Sequence, residues 1–115
     1  MRFEIKNKTA YYGSGSGASE DGQPIVFIHG AGFDHTVWVL PARYFARKGF
    51  RVVALDLPGH GRSEGPALTS VEAMSDWIVE VSETLALQDL VVVGHSMGSL
   101  VAYCLGITQV DPIKY

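Results

Sequence analysis

Leu90-Val91-Val92-Val93 runs without a break into Gly94-His95-Ser96-Met97-Gly98, and this junction constrains the chain more than any other stretch. A short, β-branched apolar run reads as a buried strand. A helical pattern follows, and Gly-x-Ser-x-Gly between a strand and a helix reads as a nucleophile elbow. The physical demand accounts for the glycines. A serine lifted out of a sharp strand-to-helix turn has strained backbone, and the residues two positions away on either side come close together. Side chains at Gly94 and Gly98 are expected to collide there. The turn delivers a hydroxyl to the tip of the sheet, facing a helix N-terminus where developing negative charge is stabilised.

Two segments upstream carry the same kind of signal. Ile25-Val26-Phe27-Ile28 reads as a second buried strand, and His29-Gly30-Ala31-Gly32 after it is a glycine-rich turn. Such a turn can bring backbone N–H groups beside Ser96, where acyl transfer needs donors for the oxyanion. Arg51-Val52-Val53-Ala54-Leu55 reads as a third buried strand. It ends in a turn-rich loop, Asp56-Leu57-Pro58-Gly59-His60-Gly61-Arg62-Ser63.

In this order and at these separations, the three segments resemble the N-terminal half of an α/β-hydrolase-fold protein, from about residue 3 to about residue 106. The resemblance implies an α/β architecture: a mostly parallel sheet with an antiparallel N-terminal hairpin and helices on both faces. It implies a serine hydrolase in which Ser96 attacks a carbonyl and the N–H groups of Met97 and Ala31 form an oxyanion hole. Gly30 and Phe33 then lie beside the substrate, which is a small molecule, and neither metal nor cofactor is called for. Serine at position 96 argues against branches that need aspartate there, such as haloalkane dehalogenases and epoxide hydrolases. Esterase, lipase, lactonase, carbon–carbon hydrolase and cofactor-free haloperoxidase branches stay open.

A serine nucleophile needs a base and a carboxylate to hold that base. In the resembling family they follow in the order Ser, then Asp or Glu, then His. After Ser96 the chain holds one acid, Asp111, and no histidine; His29, His35, His60 and His95 all precede or adjoin the serine. The resemblance therefore implies a truncated form, inactive by itself, with its acid and base beyond Tyr115. A reading of another class is a non-catalytic ligand-binding or interaction protein of the same fold, since fold does not decide function. A third is an independent flavodoxin-like domain, which the missing phosphate loop weakens.

Composition excludes other classes. The chain is 47% apolar and 18% charged with a net charge of −3, which offers no pull toward nucleic acid or membrane. The one cysteine rules out a disulfide framework and reads as buried filler in the helix behind Ser96. The first residues lack a signal-peptide core, and no apolar run approaches a membrane span. A cytoplasmic location is the resulting expectation. No ligand spacing suggests a metal.

The remaining organisation reads as one partial domain over 1–115, divided into a hairpin over 2–12, a loop over 13–24, core elements over 25–106 and a tail over 107–115. Asn7-Lys8 suits the hairpin turn. Gly13-x-Gly15-x-x-Ala18 matches a dinucleotide fingerprint, but acidic loop residues follow it, so it reads as linker. Asp34 to Lys48 is helical in composition, with Pro41 a kink or the start of a second part and Gly49 a stop. Trp38, Tyr44 and Phe45 are expected on the sheet, with Trp38 near enough to the turn to line a pocket alongside Phe33 and Met97. Thr69-x-x-Glu72 reads as a capping box. Val71, Met74, Ile78, Val81 and Leu85 then mark a buried helical face, with Ser82 and Glu83 facing solvent. If the family's strand order holds, the chain leaves one side of Leu90-Val93 open, an apolar edge that invites self-association.

Overall fold

The computed structural model describes residues 1–16 and 20–108. Strands β1 (Arg2–Ile5), β2 (Lys8–Gly13), β3 (Pro24–Ile28), β4 (Arg51–Asp56) and β5 (Val91–Gly94) form one sheet in the order β1-β2-β4-β3-β5. β4, β3 and β5 run parallel, and β1 and β2 join them antiparallel. A 3-10 turn over His35–Trp38 and helix α1 (Val39–Arg47) connect β3 to β4, and α2 (Val71–Thr84) connects β4 to β5. Helix α3 (Met97–Thr108) leaves β5 directly. Strands whose connections pass over the sheet as helices must be buried on both faces, which is why β3, β4 and β5 are continuous apolar runs.

Alternation along these strands splits the core in two. Val26, Ile28, Val53, Leu55 and Val92 point toward α2 and α3, where they pack with Ile78, Val81, Val101 and Leu105. Ile25, Phe27, Val52 and Ala54 point the other way, onto Ala42, Trp38 and Phe45. Phe27 anchors that second face, its ring 4.8 Å from Trp38 and 6.1 Å from Phe45. Burying a side chain of this size contributes roughly 1.5–3 kcal/mol.

Several local expectations shift. The hairpin turn is Lys6-Asn7, at φ +48° and +64°, and not Asn7-Lys8. Positive φ at both central positions marks a type I′ two-residue turn, and Ile5 pairs with Lys8 across it, so Lys8 is already in the strand. The helix expected over 34–48 opens as a 3-10 turn capped by the Asp34 carboxylate and becomes α-helical at Val39; Pro41 lies in the first turn, where its missing N–H costs nothing. Gly49, at φ +90°, closes it as expected. The cap of α2 is Ser70, whose hydroxyl accepts from Ala73 N at 3.0 Å, so Thr69 and Glu72 do not form a capping box. Trp38 and Phe45 do pack on the sheet, but Tyr44 is 56% exposed. Ser82 is half-buried, its hydroxyl donating to Val79 O. Cys104 is half-buried. Leu90 precedes β5 and is buried beneath it. Helix α3 continues to Thr108, two residues into the expected tail; the rest of that tail, Asp111 included, lies outside the described residues, as does Ala18.

Candidate active site

Ser96 stands between the last residue of β5 and the first of α3, at φ +57°. The left-handed region is costly for a serine, and the surroundings hold it there. His95 N donates to Ile28 O at 3.1 Å, extending the β3–β5 ladder to the last residue before the turn. Gly98 N and Ser99 N then donate to the carbonyls of His95 and Ser96, each at 2.9 Å, which starts the helix at once. Both glycines are forced, though not by each other alone. A Cβ at Gly94 would lie 2.1 Å from Gly98 O, as the crowding argument requires, whereas one at Gly98 would lie 2.1 Å from Ile28 O of the neighbouring strand. Gly98 thus lets α3 pack down on the end of β3.

The glycine-rich turn after β3 meets this elbow. A Cβ at Gly30 would sit 3.2 Å from the Ser96 Cβ and 3.4 Å from both His95 O and Phe33 Cδ2. Gly30, Phe33, His95 and Ser96 are therefore brought together. Gly30 is buried; Ser96, Ala31 and Phe33 are exposed, so the turn and the hydroxyl open to solvent. Met97 is half-buried and packs into the core on the α2–α3 side, while Trp38 sits on the α1 side with its ring edge-on to His95 at 6.5 Å.

Residues 30–38 and 57–63 are tied to each other beneath the turn through Asp56, His35 and His29. Asp56, fully buried at the end of β4, accepts from His35 N at 2.7 Å and His35 Nδ1 at 2.9 Å through one carboxylate oxygen, and from Arg62 N at 3.0 Å through the other. A buried carboxylate survives only when its lone pairs are met in this way. Gly61, at φ +52°, passes so close to that carboxylate that a Cβ there would fall 2.4 Å from Asp56 Oδ2. Ser63 Oγ donates to Asp56 O at 2.7 Å and accepts from Tyr11 N at 3.0 Å. His29, also fully buried, bridges the two loops. Its Nε2 accepts from Leu57 N at 3.0 Å, so the ring proton is on Nδ1, which donates to Gly30 O at 2.7 Å. Burial holds the His29 imidazole below its ordinary pKa; the Gly30 contact raises it, His60 (ring 5.0 Å away) lowers it again, and the net direction is down.

Each histidine thus has a place. His29 uses both ring nitrogens, His35 gives Nδ1–H to Asp56, and His60 gives Nδ1–H to Pro58 O at 3.1 Å. His95 is exposed beside Ser96. Asp34, His35 and Asp56 bring three ligand-type atoms within 4.8 Å, but His35 Nδ1 and Asp56 Oδ1 are spent on one another. Sequence spacing gave no sign of this cluster, because His35 opens the 3-10 turn while Asp56 ends β4, twenty-one residues away.

Comparison with known proteins agrees with this architecture. A family model described as the alpha/beta hydrolase family matches residues 25–113. An (E)-2-((N-methylformamido)methylene)succinate hydrolase of Acinetobacter baylyi is 37% identical over 109 residues, 94% of this chain and 40% of that protein. Among solved structures, a bacterial membrane phospholipase A superposes with a TM-score of 0.90 at 28% identity, over 98% of this chain and 36% of the other. An N-acyl homoserine lactone degrading enzyme gives a TM-score of 0.83 at 30% identity, over 98% and 42%. The chain spans less than half the length of each of these proteins. Among the described residues no helix is long and apolar enough to cross a membrane.

Proposed function

Because the chain belongs to the α/β hydrolase family, we propose that it carries the nucleophile and oxyanion half of a serine hydrolase acting on a carboxylic ester or related acyl compound. Ser96 attacks the substrate carbonyl. The N–H groups of Met97 and Ala31 receive the oxyanion, with Gly30 and Phe33 lining the approach. The observation that carries this reading is the backbone of Ser96, held at φ +57° on an exposed turn with Gly30 pressed against it. Strain of this kind, on the order of 1–3 kcal/mol, persists where the surrounding structure imposes it and clusters at functional sites.

Further support comes from the helix start. Gly98 N and Ser99 N are committed to His95 and Ser96, which leaves the Met97 N–H as the first α3 donor for a ligand. Donors of this kind stabilise the charge that develops on a carbonyl oxygen under attack. The relatives named above, a hydrolase, a phospholipase and a lactone-degrading enzyme, favour a carbonyl substrate. The triad acid and base are assigned to the part of the whole protein outside this segment, since His29 spends both ring nitrogens on structural bonds and, among the described residues, no histidine nitrogen is hydrogen-bonded to the Ser96 hydroxyl.

Labelling the full-length gene product with a fluorophosphonate, and mapping the adduct by peptide mass spectrometry, tests the proposal. The label is expected on Ser96 and is absent from Ser96→Ala. A folded full-length protein that leaves Ser96 unlabelled defeats it.

A further inference from the structure

On the α1 face of the sheet, a crevice of about 330 Å³ opens between the loop after β2, α1 and His35. A second, of about 310 Å³, continues it along α1, and the two share Gly15, Ser16 and Arg43. Each is the size of a small-ligand site. Neither is lined by Ser96 or Gly30. In a chain whose net charge is −3, their walls hold no aspartate or glutamate among the described residues, the Asp56 carboxylate lying behind His35 and bonded to it; they hold Arg43, Arg47 and the serines of the loop.

The arrangement is built by close packing. Gly15, at φ +70°, lies so flat on α1 that a Cβ there would fall 2.4 Å from Ala42 O and 3.0 Å from Ala46 Cβ. Arg43 and Arg47 each follow one of those alanines, so they are neighbours one helical turn apart. The same contact that seats Gly15 holds the loop against this stretch of α1, so that Ser14 and Ser16 share one crevice with Arg43, and Ser16 shares the other with Arg43 and Arg47. At the margin, Arg62 lies 4.9 Å over the ring of Tyr11, itself a wall residue, and adds a third positive charge. Among the described residues, no carboxylate lies within ion-pair distance of Arg43 or Arg47. Arg47 has a structural use, since a cation in the last turn of α1 complements the helix dipole. Arg43, in the middle of the helix, does not.

We propose that this crevice binds a phosphate group carried by a small soluble molecule, at a site separate from Ser96. Planar guanidinium forks match phosphate oxygens in pairs. A carboxylate offers two oxygens, whereas a phosphate offers a further one for the loop hydroxyls and N–H groups.

Titrating the full-length gene product with inorganic phosphate, followed by ¹H–¹⁵N NMR at constant ionic strength, tests this. Saturable shifts are expected at Ser14, Gly15, Ser16 and Arg43. Arg43→Gln and Arg47→Gln are each expected to weaken binding about tenfold, the loss of one charged hydrogen-bonding partner. Lys8→Gln, an exposed control on the hairpin, leaves the affinity unchanged. Both arginine sites are exposed or rim positions, so the variants fold. Equal shifts with chloride, or shifts spread over all cationic side chains, overturn the proposal. So does binding to phosphatidic acid vesicles without any response to free phosphate, which would make the surface a lipid contact.

Discussion

At the scale of single residues, glycine does two different jobs here, and substitution separates them. Gly98→Ala places a methyl against the Ile28 carbonyl, backbone that cannot swing away. The expected loss is about 2–3 kcal/mol by urea denaturation, the cost of overpacking a tight contact. Gly32→Ala meets nothing within 4 Å and pays only for its φ of +78°, about 1 kcal/mol. His29 gives a pH prediction. Burial lowers its pKa in the folded chain, while the unfolded chain titrates near the ordinary histidine value of 6.5. Below that pH the unfolded state binds the proton that the folded state resists, so stability falls as the pH drops, and is flat above it. Urea midpoints measured across that range are expected to show this limb in the wild type and to lose it in His29→Asn. The elbow serine and its glycines were legible from spacing, although only the clash at Gly94 is local; the one at Gly98 comes from Ile28 on the neighbouring strand. The anchoring roles of His29, His35 and Asp56 were not, since each depends on an atom brought in from another loop.

At the scale of elements, the existence of each strand and helix followed from periodicity, and the boundaries moved by a residue or so. The start of α2 shows why. Spacing favours a capping box at Thr69-x-x-Glu72. The fold chooses Ser70, at φ −141° and ψ 154°, with its hydroxyl on Ala73 N. Ser70→Ala is accordingly expected to cost about 1 kcal/mol in thermal or urea unfolding. Thr69→Ala is expected to stay within about 0.5 kcal/mol of the wild type, and equal losses at both positions would restore the capping box. The hairpin shifted for a comparable reason: only Lys6-Asn7 lets Phe3 oppose Ala10 and Ile5 oppose Lys8. Tyr44 was misplaced because helical spacing gives a stripe without saying how wide the sheet beneath it is.

At the scale of the whole molecule, β5 ends the sheet with β3 as its one partner among the described residues. From Leu90 to Thr108 the sequence contains no aspartate, glutamate, lysine or arginine. Charged side chains are a common guard of exposed edges, and this one has none. Leu100 and Tyr103 add exposed apolar surface on α3, 56% and 62% accessible. The 115-residue chain is therefore expected to self-associate, seen as concentration-dependent sedimentation, and Val91→Lys is expected to weaken it; a clean monomer at all concentrations would count against this. Catalysis belongs to this scale too. With no histidine nitrogen hydrogen-bonded to the Ser96 hydroxyl among the described residues, the 115-residue chain is expected to turn over p-nitrophenyl acetate negligibly. Robust turnover abolished by Ser96→Ala would oblige His95 or another histidine of this segment to act as base.

The sequence by itself determined the α/β class, the three parallel strands and the residue standing at the elbow. Those depend on short-range facts: β-branched runs, glycine where a turn leaves no room, and the order of the motifs along the chain. Tertiary structure alone decided that Gly98 answers to Ile28, that Asp56 and His29 hold two loops together, and that Gly15 lies flat on α1 against Ala42 and Ala46. Each of these is a contact between segments far apart in the chain. Pattern along one segment specifies which face is buried, but not which atom on another segment will be waiting there.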